Sequence, residues 1–287
     1  MAVKFGPAGN SDSFSAVHKS SLAAPEWIRD FGLDAYEYQC GKGIHVGEET
    51  ARKLGENAYA CGISMSLHAP YFINLANPDR SSLEKTAGYI VASCRVADWM
   101  GAGRITVHTG SVMKRTRREA QEVALASVKE VVKTVDGEGY GHITLCLETM
   151  GKINQLGDLD EVLELCQLDG RLLPCVDFGH LYARTLGEMD GSREQVRRIL
   201  DRMGELLGEE RASRFHSHFS KIQFTPGGGE KVHLTFAQSD YGPDHIPLMQ
   251  ELAERGWSPT IICESAGTQA EDALEMKSVY QAYRIDE

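Results

Sequence analysis

The sequence has no apolar run long enough to cross a bilayer, so membrane-spanning classes are not expected. Its first residues, "MAVKFGPAG", lack the apolar segment of a secretory signal. No CxxC pair occurs among the seven cysteines, and their odd number and scatter argue against a disulfide framework. Cys146, Cys175 and Cys263 fall inside apolar, strand-like runs, the usual place of small buried hydrophobes in a reducing compartment. No GxGxxG follows the first strand-like run, which disfavours dinucleotide binding. The glycine-rich stretch "TPGGGEK", residues 225–231, lacks the GK[ST] ending of a phosphate-binding loop. Its glycines mark a flexible or tightly turning segment. Positive charge is scarce too: 30 Lys and Arg face 41 Asp and Glu, for a net charge of −11. So acidic a chain is a poor candidate for broad, sequence-independent binding of nucleic acid. A local groove, or a site where bound cations supply the charge, stays open. A cytoplasmic protein without a membrane partner is expected.

What the chain does have is alternation. Short β-rich runs begin at Val3, Ala35, Ile63, Arg104, His142, Leu172, Phe215 and Pro259. Helix-like stretches lie between them at 81–100, 118–135, 160–167, 192–207, 246–255 and 270–283. The first of these stretches opens with a capping box, Ser81-x-x-Glu84, and its apolar positions Leu83, Ala87, Ile90, Val91, Cys94 and Ala97 recur at helical spacing. Strand and helix in eightfold alternation predict an α/β fold, a closed (β/α)8 TIM barrel with an outer ring of helices. An open doubly wound sheet is the alternative. No linker or low-complexity segment interrupts the sequence, and residues 1–287 read as a single barrel domain.

Polar residues collect where the runs end. The third run ends at His68, the fourth at His108 and the fifth at Glu148. The sixth ends with Asp177 and His180, the seventh with His218 and a second candidate in His216, the eighth with Glu264. Taken singly, each has an ordinary explanation: a surface histidine, a helix cap, an N-capping aspartate. Taken together they are harder to dismiss, because a closed barrel gathers its C-terminal strand ends into one bowl. Carboxylates converging there with almost no Lys or Arg would repel one another. Divalent cations are the natural compensation. A nitrogen and oxygen donor set suits zinc or manganese, and the number of donors exceeds what one tetrahedral ion needs.

The stretches "LHAPYFINLANP" from Leu67, "VHTGS" from Val107, "LETMGK" from Leu147, "VDFGH" from Val176 and "ICES" from Ile262 resemble endonuclease IV. That is a zinc-dependent apurinic/apyrimidinic endonuclease family on a TIM barrel, related to sugar isomerases and epimerases of the xylose-isomerase group. The resemblance implies three zinc ions. His68, His108 and Glu148 would hold the first. Glu148, as a bridge, would hold the second with Asp177, His218 and Glu264. His180 and His233 would hold the third, with an aspartate at the position that is Lys231 here. It further implies hydrolysis of the phosphodiester 5′ to an abasic site in duplex DNA by a monomer. Glu264 would orient the attacking water, Tyr71 and Phe72 would wedge into the duplex, and Asn74 would contact the backbone. Packing of Tyr71 and Phe72 beneath their loop is the plain alternative. Lys231 would stand in for the third metal with its ammonium, unless a register shift lets Glu230 supply the carboxylate or Lys231 points to solvent. The related activity, a sugar isomerase or epimerase, would need one metal on Glu148, Asp177, His218 and Glu264. A non-catalytic scaffold is the third reading, and the nearly complete donor ring opposes it.

Overall fold

The β-branched and apolar runs become strands, and side chains alternating along each strand decide what faces the helices and what faces inward. The computed structural model describes residues 2–285. Its strands are β1 (Lys4–Pro7), β2 (Ala35–Gln39), β3 (Ser64–His68), β4 (Arg104–His108), β5 (Thr144–Glu148), β6 (Leu173–Asp177), β7 (His216–Phe219), β8 (Lys221–Thr225), β9 (Gly229–Leu234) and β10 (Thr260–Cys263). Eight of them form one parallel sheet in the order β1-β10-β7-β6-β5-β4-β3-β2. The sheet curls until its edges meet. Asp34 N–H donates to Phe5 O and Gly9 N–H to Glu37 O, each at 2.9 Å, and Ala8 bridges Glu37 in parallel. Gly6 permits this closure: a Cβ there would stand 1.9 Å from Ala35 O. The expected TIM barrel is thus the fold.

The helices are α1 (Asp12–Val17), α2 (Ala24–Asp30), α3 (Glu48–Cys61), α4 (Arg80–Trp99), α5 (Arg117–Gly137), α6 (Leu159–Cys166), α7 (Phe178–Arg184), α8 (Arg193–Leu207), α9 (Glu209–Ala212), α10 (Ile246–Arg255) and α11 (Gln269–Ile285). Leu67, Ile105, Val107, Leu147, Val176 and Phe219 are buried with helix residues such as Leu54, Ile90, Val128 and Leu163 in the main core. Among the described residues no helix is long and apolar enough to cross a membrane.

Two expectations need correction. The cap of α4 is Asp79, not Ser81: the Asp79 carboxylate accepts from Ser82 N–H at 2.8 Å and from Ser81 Oγ at 2.6 Å. Full capping boxes occur elsewhere, at Thr116–Glu119 and Asp158–Glu161, each worth about 1 kcal/mol to its helix. The run from Phe215 is not one strand. It breaks at Ser220, and its second half, β8, pairs antiparallel with β9 as a hairpin outside the barrel. The glycine stretch is the turn of that hairpin. Finally, β6 runs directly into α7, a helix that the sequence pattern does not reveal.

Candidate metal centre

Every strand from β3 to β6 delivers its last inward residue to the C-terminal mouth of the barrel, and β7 delivers His218. The donor atoms of Glu148, Asp177, His218 and Glu264 lie within 4.8 Å of one another, as do those of His68, Glu148 and His218. Glu148 sits between the groups. Its Oε2 is 3.4 Å from His68 Nε2 and 3.1 Å from His108 Nε2, and its Oε1 is 3.1 Å from His218 Nδ1. Glu264 Oε1 stands 3.5 Å from His218 Nδ1. Asp177 has two tasks. Its Oδ1 accepts from His180 N–H at 2.8 Å, capping α7, while its Oδ2 is buried and has no hydrogen-bond partner among the described residues.

The ring nitrogens are oriented by what holds the opposite nitrogen. His68 Nδ1 contacts Ala69 O at 2.6 Å, His180 Nδ1 contacts Thr149 O at 2.8 Å, and His233 Nδ1 pairs with Ser220 Oγ at 2.8 Å. A backbone carbonyl can only accept, so Nδ1 of His68 and of His180 carries a proton, and Nε2, facing the cleft, is the nitrogen left to bind a cation in place of its own proton. His218 is turned the other way, with Nε2 2.9 Å from Glu37 Oε1 and Nδ1 toward the carboxylates.

A third group is formed by His180, Glu230 and His233. Glu230 Oε2 is 3.5 Å from His180 Nε2, and its Oε1 is 3.8 Å from His233 Nε2. The expectation that Lys231 faces this site is not met. On β8 the neighbours Gln223 and Phe224 pair with Val232 and Glu230, so Lys231 is an extra residue at a β-bulge, and its side chain is exposed. The bulge turns Glu230 and His233 toward the same side although they are three apart, since an unbroken strand would send them to opposite faces. Gly229, at φ +74° and with Gly151 O only 2.4 Å from where a Cβ would be, makes the tight entry into this strand possible.

Two observations test whether these residues suit divalent ions. Glu148 Oε2, Asp177 Oδ2 and His108 Nδ1 are buried polar atoms without hydrogen-bond partners among the described residues. An unsatisfied buried carboxylate oxygen is costly unless something binds it. The field points the same way. Burial opposes a proton on His180, yet Asp177 and Glu230 outweigh it and raise His180 to about 9. Burial opposes charge on Glu230 as well, but His180 and His233 hold it down at about 2. The pocket therefore favours positive charge among its acids, and the donors fit a divalent cation. Cys175 also lies within 4.8 Å of the His216 and His218 donor atoms, but burial raises its thiol well above the ordinary value, which keeps it protonated below the ring.

The cleft above these groups has a volume of about 540 Å³, and Gln39, Tyr71, Lys152, Gln155 and Gln269 complete its wall. Lys152, the last residue of "LETMGK", is the cation that sequence reasoning missed here. Tyr71 is 50% and Phe72 53% exposed, so neither is packed beneath its loop. The Tyr71 ring stacks on His108 at 5.5 Å, and Phe72 meets Tyr89 edge-on at 4.8 Å. Asn74 is not free to contact a ligand with its carbonyl. Its Oδ1 accepts from Ala76 N–H and Ser111 N–H, both at 3.1 Å, and so ties the loop after β3 to the loop after β4. His216 lies below the ring, with Nε2 2.9 Å from Glu37 Oε2.

Fold and site together define a (β/α)8 barrel with a candidate metal centre of His, Asp and Glu at its C-terminal strand ends. A family described as xylose isomerase-like TIM barrel matches residues 25–280, and the chain belongs to that family. An uncharacterized protein of Methanocaldococcus jannaschii is 30% identical over 277 residues, 95% of each chain. A probable endonuclease 4 of Carboxydothermus hydrogenoformans is 30% identical over 158 residues, so the match spans about half of that relative, 54% of each chain. Among solved structures, a D-tagatose 3-epimerase-like protein superposes with a TM-score of 0.71 at 20% identity, covering 98% of this chain and 97% of that one. Endonuclease IV from Thermus thermophilus superposes with a TM-score of 0.63 at 20% identity, covering 93% and 95%. At such identities the two structures speak to the fold, which endonucleases and sugar epimerases share.

Proposed function

We propose that this protein is a metal-dependent phosphodiesterase that cleaves duplex DNA 5′ to abasic sites, with two or three zinc ions, or manganese, in the ring. The observation that carries the reading is the third group, His180–Glu230–His233, standing beside the other two. The carboxylates of Glu148, Asp177, Glu230 and Glu264 can neutralise two divalent ions but not three, which leaves positive charge for an anionic phosphodiester. His68, His108 and Glu148 would hold one ion. Glu148, Asp177, His218 and Glu264 would hold a second, and His180, Glu230 and His233 a third. Bound there, such ions supply Lewis acidity and ionised water near neutral pH.

The chain's own groups supply the rest. Glu264 stands between His218 and His233, with Oε2 3.9 Å from His233 Nδ1, where it can orient a water and accept its proton. Lys152 gives a point charge for a phosphate oxygen at the cleft wall. Tyr71 and Phe72 project from the rim, where they can fill the gap an extruded abasic nucleotide leaves in the stack.

The test is a duplex with one abasic site, incubated with zinc-loaded protein with and without chelator. Chelator-sensitive cleavage leaving a 3′-hydroxyl is expected. The Glu148–Asp177–His218–Glu264 group favours a second reading, a single-metal epimerase or isomerase of a ketose, as the name of the D-tagatose 3-epimerase-like protein suggests. It leaves His68, His108 and the His180 group without a task. Intact abasic DNA together with turnover of a ketose would decide for it.

A further inference from the structure

Beneath the ring lies a carboxylate for which the metal groups themselves have no use. Glu37, on β2, is fully buried inside the barrel. Five groups converge on it. Oε2 faces His216 Nε2 at 2.9 Å and accepts from Ser66 Oγ at 3.0 Å and Thr106 Oγ1 at 3.3 Å. Oε1 accepts from Gln39 Nε2 at 3.1 Å and stands 2.9 Å from His218 Nε2, a charge contact off the line of a hydrogen bond, that nitrogen having no hydrogen-bond partner among the described residues. These groups come from β2, β3, β4 and β7, so half of the barrel's strands spend an inward side chain on this one acceptor. An apolar residue would fill the same space without needing any of them.

His218 explains the expense. An ionised carboxylate only accepts, so it favours a proton on the nitrogen that faces it. The other nitrogen, Nδ1, is then the one left to bind a cation in place of a proton, and it points at Glu148 Oε1 (3.1 Å) and Glu264 Oε1 (3.5 Å). His218 thus reaches the centre through Nδ1, whereas His68 and His180 present Nε2. A buried carboxylate below the ring favours that choice, since among the described residues no backbone carbonyl holds the His218 ring.

We propose that Glu37 is a positioning residue of the metal centre, which fixes His218 as an Nδ1 ligand and strengthens the imidazole as a donor by lending it negative charge. The inference rests on the reading of the ring as a metal centre. Gln39 extends the arrangement to the cleft, since its Oε1 accepts from Tyr71 OH at 3.4 Å.

The test compares wild type with Glu37→Gln, Glu37→Asp and His216→Gln. Zinc affinity is measured by competition with a chromophoric chelator, the absorption spectrum is recorded with cobalt(II) in place of zinc, and folding of the metal-free chains is checked by circular dichroism. Glu37→Gln keeps the shape but replaces one acceptor oxygen with a donor. It should bind its tightest ion about 10- to 100-fold more weakly, with an altered cobalt spectrum. Glu37→Asp retains the charge and should recover part of the loss. His216→Gln should leave zinc affinity close to wild type. Equal affinity and equal cobalt spectra in wild type and Glu37→Gln overturn the inference and leave the metal reading standing. Should Glu37→Gln not fold, Glu37→Asp decides: affinity and spectrum unchanged overturn it as well. A wild-type chain that takes up neither zinc nor cobalt overturns the metal reading, and this inference falls with it.

Discussion

Glu230 points its carboxylate at His180 from 3.5 Å, while the next residue in the chain, Lys231, is extruded into solvent by a bulge. The acid and not the lysine belongs to the third group. Glu230→Ala should therefore lower the divalent-ion content by about one ion per chain, because two histidines alone hold zinc poorly. Lys231→Ala should change neither ion content nor cleavage rate. Elemental analysis after dialysis against metal-free buffer distinguishes the two, and loss of an ion in Lys231→Ala alone would reverse the assignment.

That relationship also shows where the sequence stops being informative. The barrel could be read because eight runs alternate with helices, and the ring because polar residues stand where the runs end. The place of Glu230 depends on a bulge, which is a property of two paired strands and not of "GGGEKVHL" alone. Glu37 lies in "AYEYQ", where a charged residue between two tyrosines reads as the wet face of a half-exposed strand. Only barrel closure shows that this face is interior. The helix α7 was hidden because it starts on the residue that follows β6 without a loop, with Asp177 serving both. Asn74 had the character of a ligand contact, yet two backbone N–H groups had already engaged it.

Glu148 and Glu264 should fail differently. Glu148 is buried and touches His68, His108 and His218 at once. Glu148→Ala should remove at least one ion and abolish cleavage. Glu264 sits at the edge of its group, with its side chain 13% exposed. Glu264→Gln should keep most of the metal while slowing cleavage about 10²- to 10⁴-fold, the range expected for a lost proton acceptor. Metal content and single-turnover rates measured on the same preparations check both, and Glu148→Ala retaining full metal would remove its bridging role.

Far from the centre, Arg171 joins the loop before β6 to the end of α5. It contacts Asp169 Oδ2 at 2.8 Å and Asp136 Oδ1 at 2.6 Å. Hydrogen bonding to Arg171 lowers Asp169 to about 2. Between that value and the unfolded one, near 4, the unfolded chain binds more protons than the folded chain, so stability rises with pH. The contribution is complete above about pH 4 and vanishes as pH falls toward 2. Arg171 is well exposed, so screening reduces the gain to about 1 kcal/mol. Urea unfolding of wild type and Arg171→Ala in chelator should show that margin at pH 6 and its decline below pH 4. A margin independent of pH would mean that Asp169 titrates normally in the folded chain.

The sharpest test of DNA as the substrate is Phe72. It is 53% exposed on the loop after β3, and Tyr89, which it meets edge-on, is itself 42% exposed. Little folding energy rides on it, so Phe72→Ala should shift stability by no more than about 0.5 kcal/mol. Tyr71 is less suitable, because it stacks on His108 and its removal would disturb the ring. If Phe72 wedges into the duplex, its loss removes a stacking contact worth about 1–3 kcal/mol, or about 5- to 150-fold in affinity. The loss should be large for a duplex with an abasic site, small for an intact duplex, and absent from zinc content. Fluorescence anisotropy with both duplexes at one fixed salt concentration measures it. Equal affinity of wild type and Phe72→Ala for the abasic duplex would remove the wedge. If neither protein prefers abasic to intact DNA, the cleft belongs to a smaller substrate, and the ketose reading takes precedence.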